Sequence, residues 1–397
     1  MQGRDDPLAP SRATEAAERP RLAAPVTTEP VPQTRLVRPS LPDLDRYREL
    51  LEEVWATGML SNFGPMAARL EAQAAAYTGS AHVRCVSSCD VGLVLAVAAL
   101  DLPAGSEVVV PSFTFPSTVH ALLWNGLRPR FADVDPDTWC LTAETARATL
   151  HPRGRARPAA VVATHSFASA ADVPGLEALA GELEIPLLFD AAHAIGTFVG
   201  GRHAATCGDA AVISLSGTKA VTAAEGGLAS FASAAHAESF AALRAYGAER
   251  EGEVRLRGLN GKLSELHAAL AVLTLADAEA EVAARAAHVA RYRAALAGAP
   301  ARFQAVPDGV RPTPTLLVVD VGERRDRLRL ALERRGVPTR AYFPPLHEMD
   351  AFAGLAPAGG LPVTERLGRT LLTLPLHSAM DVAEVDAIAA ALRAELV

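Results

Sequence analysis

Short apolar runs alternate along this chain with longer stretches whose apolar residues recur at helical spacing. Residues 44–55 predict a first amphipathic helix, which Gly58 ends. Pro65 suits the first turn of a second helix, in which Met66, Leu70 and Ala74 space an apolar stripe before Gly79 stops it. Residues 83–86 read as a strand, and Ser87-Ser88-Cys89-Asp90 opens an apolar helix running through Leu100. Strands over 107–111, 129–134, 159–164 and 185–190 then alternate with helices over 117–125, 142–150 and 173–183. Such βαβα order calls for a mostly parallel sheet with helices on both faces and a ligand at the carboxyl ends of the strands. Beyond Gly227 come Ala-rich helical segments over 234–246 and 264–297, the second long enough to bridge two domains. A strand over 315–319, a charged helix over 324–335, extended stretches at 339–343 and 371–374 and a helix from Val382 complete an α+β section. The expected architecture is therefore α/β, with a large domain over residues 36–280 and a smaller C-terminal α+β domain over 281–397.

Residues 1–35 are rich in Pro, Ala, Arg and Glu without apolar periodicity and predict a disordered tail. That stretch has no apolar core of a secretory signal, and no apolar run is long enough to cross a bilayer. The net charge of -7, without a basic stripe, argues against a nucleic-acid surface. Cys85, Cys89, Cys140 and Cys207 lack zinc-type pairing and are too sparse for a disulfide framework, so a reducing cytoplasm is expected.

Candidate chemistry gathers around Ser214-Leu215-Ser216-Gly217-Thr218-Lys219, which is followed by Glu225-Gly226-Gly227. Among 38 Lys plus Arg, only Lys219 and Lys262 are lysines. A chain that writes nearly every positive charge as Arg keeps lysine where a guanidinium fails, because an amine can lose its proton and attack a carbonyl. Upstream, Leu187-Leu188-Phe189-Asp190 reads as a buried strand delivering an acid at its carboxyl end. A lysine for a Schiff base and an aspartate for a protonated pyridine nitrogen are the two groups that pyridoxal phosphate requires. The turn at Ser88 and Cys89 joins a strand to a helix N-terminus, a plausible phosphate cradle of backbone N–H groups.

From about Val37 onward the chain resembles the DegT/DnrJ/EryC1/StrS family of pyridoxal-phosphate sugar aminotransferases, within fold type I. The resemblance rests on Asn62-Phe63-Gly64-Pro65, Pro111-Ser112-Phe113-Thr114-Phe115, Trp124-Asn125-Gly126-Leu127, Asp190-Ala191-Ala192-His193-Ala194, the Lys219 loop and Gly258-Leu259-Asn260-Gly261-Lys262-Leu263-Ser264-Glu265. It implies that Lys219 forms the Schiff base and then moves the proton, that Asp190 pairs with the pyridinium, and that His193 lies by the phenolic oxygen. Phe115 would stack on the ring; as a residue alone it equally suits core packing. Ser214 and the amides of Ser88 and Cys89 would bind the phosphate. Asn260 would reach the phosphate of a second subunit, making a homodimer with shared active sites, and Lys262 either adds charge there or is a solvated lysine. Tyr342 and His347 stand by resemblance as substrate contacts or else as surface polar residues.

Two departures from the family pattern stand out. Asp90 places an acid beside the phosphate site unless its side chain caps the helix, and Ala168 stands where the family has glycine. The implied activity is transfer of an amino group from glutamate or glutamine to a keto group of a nucleotide-linked deoxysugar, a 4-keto-6-deoxyhexose by the closest motifs. Amination at the third sugar carbon or of a cyclitol ketone stays open. A dehydratase of the same fold would carry histidine in place of Lys219, and a non-catalytic cofactor-binding regulator would have lost Lys219 or Asp190; both residues are present.

Overall fold

The computed structural model describes residues 34–150, 157–250 and 253–396. The tail expected over 1–35 lies, up to residue 33, outside them. Buried apolar runs become a seven-stranded sheet in the order Val83–Val86, Gly227–Phe231, Ala210–Ser214, Leu187–Asp190, Ala160–Thr164, Glu107–Pro111, Arg128–Ala132. The pairings from Ala210–Ser214 to Arg128–Ala132 are parallel, whereas Gly227–Phe231 runs antiparallel to both of its neighbours. Because both faces are covered, successive strand residues feed opposite cores, which is why the strands are apolar throughout. Val109, Val161 and Phe189 pack with Leu50, Leu70, Leu176 and Val272 of helices Leu44–Thr57, Pro65–Thr78, Val173–Glu182 and Glu265–Ala276. Val108, Val162 and Leu188 face the other way, onto Leu93, Val119 and Phe240 of helices Cys89–Ala99, Pro116–Trp124 and Ala234–Leu243.

A second, antiparallel sheet pairs Arg302–Phe303 with Leu317–Asp320 and the latter with Leu371–Leu374. Its core joins Leu317, Val319 and Leu372 to Tyr292, Leu328, Leu332, Ile388 and Leu392 from the flanking helices.

Two expectations change. The single long helix over 264–297 is two, Glu265–Ala276 and Ala278–Ala295, parted at Asp277 with φ -96° and ψ 5°. The first half buries Ala268 and Val272 in the main core and the second half Tyr292 in the C-terminal core. The second helix still buries Ala278 and Val282 in the main core before reaching the C-terminal one, so it links the two, and aspartate favours a helix end over its interior. The extended stretch at 339–343 makes only an isolated bridge, Arg340 to Thr373, because Pro338, Pro344 and Pro345 supply no ladder donors. The strand Gly227–Phe231, preceded by a glycine and polar loop, shows no outward sign of its antiparallel insertion. Among the described residues no helix is long and apolar enough to cross a membrane.

Candidate active site

At the carboxyl ends of the parallel strands opens a cavity of about 340 Å³ whose walls include Ser88, Cys89, Phe115, Asp190, His193, Ser214, Lys219 and Tyr342. Asp190 ends its strand and is 2 % exposed. Its Oδ1 accepts the Ala192 N–H at 3.1 Å and its Oδ2 the Thr118 hydroxyl at 2.6 Å. Burial pushes the carboxyl above its ordinary range, while the Thr118 hydroxyl, the Ala192 amide and the Lys219 charge oppose that rise. Lys219 follows strand Ala210–Ser214 in a loop closed by the bonds Leu215 N–H to Gly226 O at 2.9 Å and Ala223 N–H to Leu215 O at 2.7 Å. Burial lowers the pKa of the amine, against the pull of Asp190 and Asp90. The site thus holds an acid and an amine whose charges support each other.

Phe115 stands at the N-cap of helix Pro116–Trp124 and remains 53 % exposed, unusual for a large apolar ring at a cavity wall. His193 Nδ1 accepts the Phe167 N–H at 3.0 Å, which places the ring proton on Nε2. Burial drives its pKa well below the usual histidine value, so the ring is neutral. That bond also holds Phe167 at φ 58°, so the strained residue of this loop is Phe167; Ala168 donates its N–H to Gln304 Oε1 at 3.1 Å.

Helix Cys89–Ala99 points its N-terminus at the cavity, and its cap is Ser88, whose Oγ accepts the Val91 N–H at 3.1 Å. Asp90 is exposed and does not cap the helix. A Cβ on Gly227 would lie 3.1 Å from Cys89 N, so this glycine lets the strand run directly beside the helix start. Ser214 Oγ accepts the Ser216 N–H at 3.3 Å, leaving its own hydrogen to donate.

Other expected residues lie elsewhere. His347 is not brought to the cavity: its Nδ1 meets Ser112 Oγ at 2.7 Å and its Nε2 lies 3.4 Å from Glu365 Oε1. Asn260 is exposed and Lys262 Nζ sits 3.9 Å from the Tyr246 ring centroid, both outside the walls of their own chain's cavity. Sequence reasoning assigns no role to wall residues Ser216 and Thr218 or to Thr118 behind Asp190. The one local signal for Thr118 is its place three residues after Phe115, on the helix's first turn.

This donor set fits pyridoxal phosphate. A buried anionic acceptor, an exposed aromatic face, a burial-weakened amine and a helix N-terminus flanked by hydroxyls meet in one cavity. The buried His165 Nε2, on the same wall, has no hydrogen-bond partner among the described residues.

Comparison with known proteins agrees. Residues 44–393 match the profile of the DegT/DnrJ/EryC1/StrS aminotransferase family. The structure of DesI solved in the presence of its TDP-sugar product is 35% identical with a TM-score of 0.84, covering 92% of this chain and 93% of that one. The aminotransferase TlmJ from Streptoalloteichus hindustanus is 30% identical with a TM-score of 0.85, over 91% of this chain and 98% of its own. DesV from S. venezuelae is 29% identical with a TM-score of 0.83, over 91% and 99%. With the profile spanning nearly the whole described chain and the cavity equipped for that cofactor, the chain belongs to the DegT/DnrJ/EryC1/StrS family of pyridoxal-phosphate-dependent aminotransferases.

Proposed function

We propose that this enzyme transfers an amino group from glutamate or glutamine to the keto group of a nucleotide-linked deoxysugar, a 4-keto-6-deoxyhexose, in amino-sugar biosynthesis. The observation that carries the reading is the buried Asp190 and the half-buried Lys219, each stabilising the other's charge, beside the exposed ring of Phe115. The sugar is supported by the 35% identity with DesI, whose structure was solved with a TDP-sugar product. Pyridoxal phosphate, when bound, supplies an electron-withdrawing ring that carries the amino group between donor and acceptor.

The chain's own residues do the rest. Asp190 would keep the proton on the ring nitrogen, and Phe115 would support a ring face. His193, with its ring proton on Nε2, would donate to the phenolic oxygen, and Ser214 with the amides of Ser88 and Cys89 would hold the phosphate. Lys219 Nζ, its proton affinity lowered by burial, takes the proton from the substrate carbon and returns it. Tyr342, on the cavity wall, contacts the sugar. Asn260 and Lys262 serve the cavity of a partner subunit in a homodimer, a reading supported by their position outside their own cavity. Four buried free cysteines fit a cytoplasmic protein.

Addition of glutamate to the holoenzyme should change the cofactor's absorption and release 2-oxoglutarate. A panel of nucleotide-linked keto-sugars and a cyclitol ketone then identifies the acceptor, and turnover of the cyclitol alone refutes the sugar assignment. Lys219→Arg should abolish turnover while preserving the fold, since arginine keeps the charge without a transferable proton. Near-normal activity in that variant removes Lys219 from the mechanism.

A further inference from the structure

Behind Asp190 lies a row of three threonine hydroxyls. Thr118 Oγ1 is 2.6 Å from Asp190 Oδ2, Thr114 Oγ1 is 2.8 Å from Thr118 Oγ1, and Thr164 Oγ1 is 2.9 Å from Thr114 Oγ1. All three residues are buried, and Thr164 also reaches the cavity wall. Each hydroxyl has one hydrogen, and an ionised carboxylate has none to give. Thr118 must therefore donate to Asp190, which obliges Thr114 to donate to Thr118 and Thr164 to donate to Thr114. Only one polarity satisfies every link, and donors aligned in this way strengthen one another. Thr118 lies on the first turn of the helix that Phe115 opens, and its N–H bonds Phe115 O at 3.2 Å. The same residue thereby ties the carboxylate to the backbone that carries the aromatic ring.

We infer that Thr118 is a positioning residue for Asp190, and that Thr114 and Thr164 complete a one-way chain of hydroxyl donors fixing that carboxylate as an acceptor. The inference rests on the reading of Asp190 as partner of the cofactor's ring nitrogen. Other charged or titratable groups face Asp190 too. Lys219 comes from the loop after Ala210–Ser214, and Asp90 and the Cys89 thiol come from the helix beyond. His193 follows on the same loop, and His165, whose backbone N–H donates to Asp190 O at 3.0 Å, directly follows the neighbouring strand Ala160–Thr164. None of these changes when a threonine hydroxyl is removed.

The test is the pH dependence of pyridoxal 5'-phosphate binding to the cofactor-stripped full-length protein, followed by fluorescence, in the wild type, Thr118→Val, Thr118→Ser, Thr164→Val and Asp190→Asn. Loss of one hydrogen bond to a charged group makes the carboxyl hold its proton more tightly. In Thr118→Val the pH below which binding weakens should therefore rise by about one unit. Thr118→Ser should restore the wild-type profile, and Thr164→Val should move it the same way by less. A Thr118→Val profile superposing on the wild type overturns the inference, provided Asp190→Asn has lost the acid-side step. If Asp190→Asn keeps the wild-type profile, the assignment of Asp190 itself fails. Should Thr118→Val not fold, an unchanged profile in Thr164→Val overturns the chain of donors.

Discussion

His165 shows what burial costs a titratable side chain in this site. Its ring stacks on Phe189 with centroids 4.7 Å apart, its Nδ1 accepts the Ala171 N–H at 3.1 Å, and burial pushes its pKa down to about 3. The folded value lies below that of the unfolded chain, about 6.5. The unfolded state therefore takes up the proton first as pH falls. Stability from this residue is complete above the unfolded value and is lost from there down towards pH 3, at up to about 1.4 kcal/mol per pH unit. Urea unfolding at pH 7 and pH 5 should show a larger drop in the wild type than in His165→Gln. Equal drops would assign the acid sensitivity to other buried histidines such as His193, which burial shifts the same way.

Helix Pro65–Thr78 begins without a side-chain cap of its own, because its N-cap is Gly64. Glu265, at the start of another helix, supplies the acceptors: its carboxylate takes the Met66 N–H at 2.6 Å and the Ala67 N–H at 3.2 Å. An acid at a helix N-terminus is also favoured by the peptide dipoles. Gly64 is required for space and not for its φ of -72°, since a Cβ there would lie 2.7 Å from the Glu265 carboxylate. Gly64→Ala should therefore displace the carboxylate and lower stability by about 2 kcal/mol, the scale of buried amides left without acceptors. Glu265→Gln keeps one acceptor oxygen and should cost less, about 1 kcal/mol. Denaturant titration of both variants decides, and an unaltered Gly64→Ala midpoint would show that the contact relaxes freely. Through this pairing, and through the Glu265 N–H donated to Leu60 O at 3.0 Å, the segments Asn62-Phe63-Gly64-Pro65 and Asn260 to Glu265 form one joint.

Around that joint the protein leaves apolar surface open. Trp55 is 67% exposed, Tyr246 53% and Phe63 40%, and Phe63 also receives the Arg244 guanidinium 4.4 Å above its ring. Asn260 bridges Ala245 directly beside Tyr246. This placement suits contact with a second subunit, to whose cavity Asn260 would contribute. If so, Lys219→Ala chains mixed with Asn260→Asp chains should regain activity. In the heterodimer one cavity keeps Lys219 and receives an intact Asn260, while the added negative charge falls at the cavity already lacking its lysine. By linkage, the cofactor should also stabilise the dimer. Activity in Asn260→Asp alone, or cofactor-loaded protein sedimenting as a monomer, would refute shared sites.

Periodicity and punctuation were enough to locate most elements. The strands Val83–Val86, Glu107–Pro111 and Leu371–Leu374 fall where their apolar runs lie, and Gly58 and Gly79 end helices with φ of 65° and 74°. That Lys219, Asp190 and Phe115 line one cavity could be expected from the sequence because each sits at a local boundary, a loop or strand end that an α/β sheet turns towards its ligand. Other features needed the folded chain: the Thr118 hydroxyl on Asp190, the Glu265 cap on another helix, the diversion of His347 to Ser112 and the antiparallel insertion of Gly227–Phe231. The division has a physical cause. Apolar spacing and turn residues report how a residue is buried within its own element, whereas these contacts join residues far apart in the chain, which only the order of strands in the sheet brings within hydrogen-bonding distance.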